Sequence, residues 1–242
     1  MVTGATSGIG LAVARRFASA GATVVGTGRD QGRLAALQGQ VDSVLTLDVC
    51  DDESVQIAHA ALMDRYGGVD VVVNNAGVGL FKPQDQTPLS EIDRIMQVNF
   101  YGAVRVSQAL LPSLLARKGV LVQIASVAGR RGYAKHTAYC ASKHALIGYS
   151  ASLYYDLKGT GCDVVVVCPP AVRTPFFENA GYLTFDEDHP KLTPMTAEAV
   201  AEGVFEATSR RSRMEILSPR AKLLDALSFV APRVLERIQK FK

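Results

Sequence analysis

Tyr139 and Lys143 stand four residues apart in the stretch Tyr139-Cys140-Ala141-Ser142-Lys143. The segment from Thr137 to Lys158 is rich in Ala, Ser, Leu and Tyr and holds no Pro, which predicts a helix. Residues four apart stack on one helix face, so a phenol and an ammonium are presented side by side. A free tyrosine titrates near pH ~10, too high for efficient proton transfer at neutral pH. A cation one turn away favours the phenolate and lowers that pKa. The pair reads as a tuned proton donor and acceptor. The same spacing also describes an ordinary solvated helix face, so the rest of the chain has to decide.

The second chemical feature opens the chain: Val2-Thr3-Gly4-Ala5-Thr6-Ser7-Gly8-Ile9-Gly10, followed by a helix-like run from Leu11 to Ala20. A glycine-rich turn before a helix presents backbone N–H groups and the positive end of a helix dipole. Glycine lets the backbone approach a ligand closely. The arrangement suits a pyrophosphate. Only Met1 and Val2 precede the loop, whereas a buried parallel strand usually has ~5 residues. The expectation is that the recorded start lies inside a longer native strand.

The elements that must position these features alternate. Strand-like runs occur at Thr23–Thr27, Ser43–Leu47, Val69–Val73, Val120–Ser126, Asp163–Cys168 and Met214–Leu217. Helical patterns occur at Glu53–Tyr66, Glu91–Arg117 with Pro112 as the expected kink, Thr137–Lys158 and Thr196–Ser209. The strands are continuous Val/Ile/Leu runs, so both faces should be buried. Alternating strands and helices imply right-handed crossovers and a parallel sheet covered on both sides. The expected fold is a single-domain α/β, Rossmann-type doubly wound sheet of about seven parallel strands, occupying residues 1–217, with a tail from 218 to 242. Ligands of such a fold bind at the carboxyl ends of the strands. The glycine loop, Arg29, Asp48, Asn75, Ser126 and the Pro169 loop all fall there.

Composition narrows the function. The net charge is +3, but residues 218–242 carry six Lys or Arg and two acids, which leaves the body of the chain at −1. That argues against nucleic acid as a partner. No apolar run approaches the ~20 residues of a membrane span, and no basic-then-apolar leader precedes the glycine motif. The cysteines Cys50, Cys140, Cys162 and Cys168 form no CxxC pair and no metal spacing with the histidines. They are expected as core fillers in a reducing compartment, and the expected location is cytoplasmic.

Taken together, these motifs resemble the short-chain dehydrogenase/reductase family over Thr3 to about Leu217. Thr3-Gly4-Ala5-Thr6-Ser7-Gly8-Ile9-Gly10 is similar to that family's TGxxxGxG cofactor loop, and Asn74-Asn75-Ala76-Gly77 to its NNAG motif. Ser126 resembles the active-site Ser, Asn99 the active-site Asn, and Tyr139 with Lys143 the YxxxK pair. The resemblance implies an oxidoreductase moving a hydride between a nicotinamide cofactor and a carbonyl or alcohol. Tyr139 would be the acid/base. Lys143 would lower its pKa and hold the cofactor ribose, Ser126 would hold the substrate oxygen, and Asn99 would anchor a water of a proton relay. The implied cofactor contacts are Gly4, Thr6, Ser7, Gly8, Ile9, Gly10, Arg29, Asp48 at the adenine, its neighbour Val49, Asn75, Ala76, Gly77, Tyr139, Lys143, Pro169, Val172, and Thr174 at the nicotinamide carboxamide. The family's Pro-Gly after the sixth strand is Pro169-Pro170 here, which predicts a different path for the loop bearing Val172 and Thr174.

Cofactor choice turns on the end of the second strand. NAD users carry an acid there for the ribose 2′-OH. Here Gly28 and Arg29 stand in that place, which favours NADP(H) over NAD(H), because a guanidinium grips a 2′-phosphate. Asp30 nearby counts against it. The substrate lid is expected at about 175–195, with Phe176, Phe177, Tyr182, Leu183 and Phe185 suiting a lipophilic small molecule. In the tail, apolar residues recur at helical spacing among Lys and Arg, so peripheral membrane contact stands beside docking on the domain or a neighbouring subunit. The resemblance implies a homodimer or homotetramer. A catalytically silent nucleotide-binding regulator is the alternative reading, as is a nucleotide-sugar epimerase or dehydratase.

Overall fold

The computed structural model describes residues 1–180 and 194–233. In chain order these form α1 (Gly8–Ser19), β1 (Val25–Gly28), α2 (Gln31–Leu37), β2 (Ser43–Thr46), α3 (Asp52–Tyr66), β3 (Val71–Asn74), α4 (Leu89–Met96), a π-turn (Gln97–Tyr101), α5 (Gly102–Arg117), β4 (Val120–Ile124), α6 (Thr137–Asp156), β5 (Asp163–Cys168), α7 (Phe176–Asn179), α8 (Ala197–Ser209), β6 (Met214–Ile216) and α9 (Pro219–Val230). All strand pairings are parallel: β1 with β2, and β3, β4, β5 and β6 in that order. Val2 joins the two halves by bridging Gly26 on one side and Val73 on the other. Against the expectation of about seven strands, the described residues form six strands and this bridging residue.

Alternation along the strands divides the core between the two sheet faces. Val120, Val122 and Ile124 of β4 turn to one face, with Val13 of α1 and Val200 and Val204 of α8. Leu121 turns to the other, with Val55 and Leu62 of α3 and Val106 and Leu110 of α5. Both faces are therefore dry, as the unbroken Val/Ile/Leu strands require.

The long helix expected over Glu91–Arg117 with a kink at Pro112 needs correction. The helix runs on through Pro112, and the irregularity comes earlier, at the π-turn Gln97–Tyr101. There Asn99 is drawn inside, 1% exposed. Its Oδ1 accepts from the Val78 N–H (2.8 Å), and its Nδ2 donates to Val78 O (2.9 Å) and Ser142 Oγ (3.0 Å). A wide turn that aims a polar side chain inward is a common use of π-geometry. Helix α2 was not anticipated. It has seven residues, starts on Asp30, whose carboxylate accepts the Arg33 N–H (2.8 Å), and buries Leu34 and Leu37. An Asx cap before apolar residues three apart is the signal that finds it. The strand at Val120 also ends earlier than expected, at Ile124, because Ser126 starts a short 3₁₀ turn, Val127–Gly129.

Thr3 fastens the glycine loop to the sheet. It is 1% exposed, and its Oγ1 accepts from the backbone N–H groups of Asn75 (2.9 Å) and Ala76 (3.0 Å). Replacing it by Val keeps the shape and leaves two N–H groups without their acceptor. We expect Thr3→Val to lose about 2–4 kcal/mol of unfolding free energy in urea, and Thr3→Ser to retain most of it. Equal stability of Val and Ser variants would contradict this role.

Candidate active site

The glycine loop and the end of β3 interlock. Gly4 has φ +61°, and a Cβ there would lie 3.0 Å from the Ala76 Cα. At Gly10 a Cβ would collide with the Gly4 carbonyl oxygen and the Asn75 amide. Asn75 Nδ2 donates to the carbonyls of Thr3 (2.9 Å) and Gly4 (3.2 Å), so this amide braces the loop. Ser7 precedes α1 with no side-chain capping bond. Gly8, at φ +53°, faces the Thr174 side chain, whose nearest atoms would lie 3.3 Å from a Cβ there. The start of α1 is thus a glycine cradle at the positive end of a helix, with no side chain capping it. Those are the features that fit a dinucleotide pyrophosphate.

Thr174 reaches this cradle despite Pro170. After β5 the chain bridges Val172 to Met195: the Arg173 N–H donates to Met195 O and the Met195 N–H to Ala171 O, both at 2.9 Å. This pairing sets the path of the loop after the two prolines. Tyr182, Leu183 and Phe185 lie outside the described residues, as does the rest of the lid between 181 and 193.

At the carboxyl end of β1, a Cβ on Gly28 would meet Thr6 Cγ2 at 2.7 Å. Any side chain there, acidic or not, has to displace Thr6. Arg29 Nη1 lies 3.6 Å from Asp48 Oδ2, and the Arg29 side chain is 65% exposed. Asp48 Oδ1 accepts the Cys50 N–H (2.9 Å), turning the chain toward α3 with Val49 buried behind it. Asp30, weighed above against NADP(H), is committed to capping α2.

Tyr139 and Lys143 meet Ser126 at the carboxyl end of β4. Tyr139 is 9% exposed and Lys143 5%. Lys143 Nζ donates to Ile124 O at 2.8 Å and lies 5.9 Å from the Tyr139 ring centroid. Gly77 makes room for this: a Cβ on it would stand 3.3 Å from Asn99 Oδ1 and 3.7 Å from Lys143 Nζ. Burial pushes the Lys143 ammonium down to about 8. The Tyr139 phenol goes the other way. Burial raises it well above the usual range, and the Ser126 hydroxyl beside it pulls it partly back. The net shift of the phenol is upward because desolvation dominates, and the lysine bonds to the Ile124 carbonyl. Both amide N–H donors of Asn99 are spent on Val78 and Ser142, so its side chain ties the loop after β3 to the Tyr139 helix.

Aromatic residues close the outer side. Phe81 packs edge-to-face on Tyr139 (5.7 Å between centroids) and against His136 (4.2 Å), and Phe176 lies 5.6 Å from Tyr139. Phe81 was missed in the sequence. The clue was an aromatic residue just beyond a strand-end Asn-Ala-Gly. No group of three or more His, Cys, Asp or Glu among the described residues could hold a metal. All four cysteines are free thiols.

The profile of the short chain dehydrogenase family matches residues 1–182. The chain belongs to that family. Among its curated relatives, a short chain dehydrogenase of Rhizobium radiobacter, serine 3-dehydrogenase, is 33% identical over 90% of this chain and 90% of that protein. A second relative, 1-deoxy-11-beta-hydroxypentalenate dehydrogenase of Streptomyces exfoliatus, is 39% identical over 86% of this chain and 78% of that protein. The closed form of a serine dehydrogenase with NADP+ superposes with TM-score 0.81, at 30% identity, covering 86% of this chain and 88% of that one. This short chain dehydrogenase is accordingly an oxidoreductase of the class acting on hydroxyl and carbonyl groups.

Lys143 also sets a stability prediction. Its folded pKa lies below the ~10.4 of an unfolded lysine. The buried ammonium therefore costs stability throughout the range below about 8, and the cost fades as pH rises from there to the unfolded value. Lys143→Met should stabilise the fold at neutral pH by on the order of 1–3 kcal/mol in urea unfolding, and by less at pH ~10. A destabilised or pH-independent Met variant would contradict the sign.

Proposed function

We propose that this short chain dehydrogenase is an NADP(H)-dependent carbonyl reductase or alcohol dehydrogenase acting on a lipophilic small molecule. The observation that carries this is the convergence of buried Tyr139 and Lys143 with half-buried Ser126 at the end of β4, beside an uncapped glycine cradle. The nicotinamide, when bound, supplies or accepts the hydride. Phenol protonation suits Tyr139 to give a proton to a carbonyl oxygen as negative charge grows on it. The Ser126 hydroxyl, beside the Tyr139 phenol, holds the carbonyl oxygen and stabilises the developing charge. Lys143, cationic below about pH 8 and next to Gly77, would hold the cofactor ribose. Asn99 acts as a positioning residue between the Gly77 loop and α6.

NADP(H) is favoured over NAD(H) for a steric and an electrostatic reason. Gly28 is packed on Thr6, which leaves no room for the acid that binds a ribose 2′-OH. Arg29 is exposed and adjacent, able to grip a 2′-phosphate in two-pronged fashion. Solved neighbours carry either cofactor: NADP+ in the serine dehydrogenase, and NAD in a Burkholderia phymatum protein that is 24% identical with TM-score 0.87. A lipophilic substrate follows from the rings of Phe81, Phe176 and Phe177 gathered over Tyr139.

The test is NADPH oxidation over a panel of ketones and aldehydes. Tyr139→Phe should cut kcat by about 10²–10⁴-fold. Activity unchanged by that substitution refutes the assignment. Arg29→Ala should lower kcat/KM for NADPH by about tenfold or more while leaving NADH nearly untouched, since only the 2′-phosphate contact is lost. A preference for NADH in the unsubstituted protein sinks the cofactor reading. Carbonyl reduction should decline above about pH 8, as Lys143 loses the proton that keeps it cationic. Alcohol oxidation, which needs the phenolate, should instead keep rising with pH.

A further inference from the structure

The 3₁₀ turn after Ser126 is held on several sides. Its Val127 N–H donates to Pro169 O (3.1 Å), and its Ala128 N–H donates to Ser126 Oγ (3.1 Å). Gly129 is pressed on α6, where a Cβ would lie 2.7 Å from Lys143 O and 2.8 Å from Ile147 Cδ1. The next residue leaves the turn and reaches another element. Arg130 Nε donates to Asp225 Oδ1 at 3.0 Å and its Nη2 to Asp225 Oδ2 at 2.9 Å, a two-pronged ion pair to α9. The side chains are only 24% and 13% exposed. The same guanidinium lies 5.0 Å from the Phe229 ring centre, also on α9.

Helix α9 has no buried residue of its own. Ser218 caps its start by accepting the Ala221 N–H. A second tether, Lys222 to Glu215 at 2.6 Å, is more exposed, at 56% for the lysine. The Arg130–Asp225 pair is therefore the more sheltered attachment, and charge-assisted two-pronged bonds are geometrically demanding. Shielded from water, such a pair also outweighs a surface ion pair.

We propose that α9 is a strut for the Ser126 turn, with Asp225 a positioning residue that acts through Arg130. Arg130 fixes where the turn ends, and the turn fixes Ser126 Oγ, which accepts the Ala128 N–H and stands beside the Tyr139 phenol. Loosening the exit lets Ser126 Oγ drift from the phenol. This rests on Ser126 and Tyr139 being the reacting pair proposed above.

The substitution to make is Asp225→Asn, which keeps the shape and removes the charge. The first measurement is amide hydrogen exchange, which needs no turnover. Protection of Val127 and Ala128 should fall by about tenfold in the variant, the loss a net ~1.4 kcal/mol weakening gives. The second is alcohol oxidation with NADP+ between about pH 6 and pH 10, the range leading up to ordinary tyrosine titration. There kcat should fall about tenfold with the cofactor KM unchanged, and the alkaline rise should move up by about half a pH unit or more, because the Ser126 hydroxyl that lowers the phenol pKa is no longer held beside it. Lys222→Ala, which cuts the other tether, should change neither readout. The exchanged pair Arg130→Asp/Asp225→Arg should recover most of the protection and of the pH profile. Unchanged exchange at Val127 and Ala128 in Asp225→Asn overturns the strut, as does a loss of rate that is uniform across pH. If the unsubstituted protein turns over no carbonyl or alcohol, the proposed function fails, and hydrogen exchange still decides the strut.

Discussion

A lysine ammonium buried beside a phenol is the constraint on which the site depends. Lys143 is 5% exposed, and among the described residues its hydrogen bond is to Ile124 O. Taking a cation out of water is costly unless it is paired or bonded. The fold meets that cost where a strand stops: Ile124 is the last residue of β4, so its carbonyl is turned away from the ladder toward α6. Bringing helix and strand end this close leaves no room for side chains between them. Gly129 sits on the Lys143 carbonyl and Gly77 faces Lys143 Nζ. Asn99 then closes the gap between the Gly77 loop and α6, and the π-turn is the backbone distortion that lets it do so. One buried charge accounts for two glycines, one asparagine and a break in a helix.

The same constraint explains why the pair looked different in the sequence. Spacing alone placed a cation one turn from a phenol, and from that a lowered tyrosine pKa followed. Spacing says nothing about solvent. Burial raises the phenol and lowers the ammonium, so each group is pushed toward its neutral form. The rings of Phe81 and Phe176 beside Tyr139 make the apolar surroundings that produce this.

Strand runs were legible because both faces of the sheet are dry, and unbroken Val and Leu stretches have few other uses. Asp163–Cys168 is β5 to the residue. Boundaries were less legible wherever a polar residue ended a ladder by bonding sideways, as Ser126 does to Ala128. Helix α2 escaped notice because seven residues carry too little periodicity to stand out, and Pro112 was given a kink that its helix does not need. The candidate set Asn99, Ser126, Tyr139 and Lys143 was picked out through its order along the chain. Phe81, Ser142 and Arg130 were not, because each matters through a partner far away in sequence: Tyr139, Asn99 and Asp225.

In the tail, apolar residues among basic ones left two readings open, a helix docked on the domain or on a neighbouring subunit and a helix lying on a membrane. Within α9, however, Leu223, Phe229 and Val230 are largely exposed, while the sheltered contact is the carboxylate of Asp225 on Arg130. No described helix is long and apolar enough to cross a membrane. An amphipathic helix is usually oriented by its apolar stripe, since burial contributes more than a surface ion pair. Here the orientation is set by a two-pronged pair that starts one residue beyond the Ser126 turn. A helix fastened that way transmits its position to the active site whatever later covers its outer face. For that reason Asp225, rather than the leucines around it, is the informative residue of the tail.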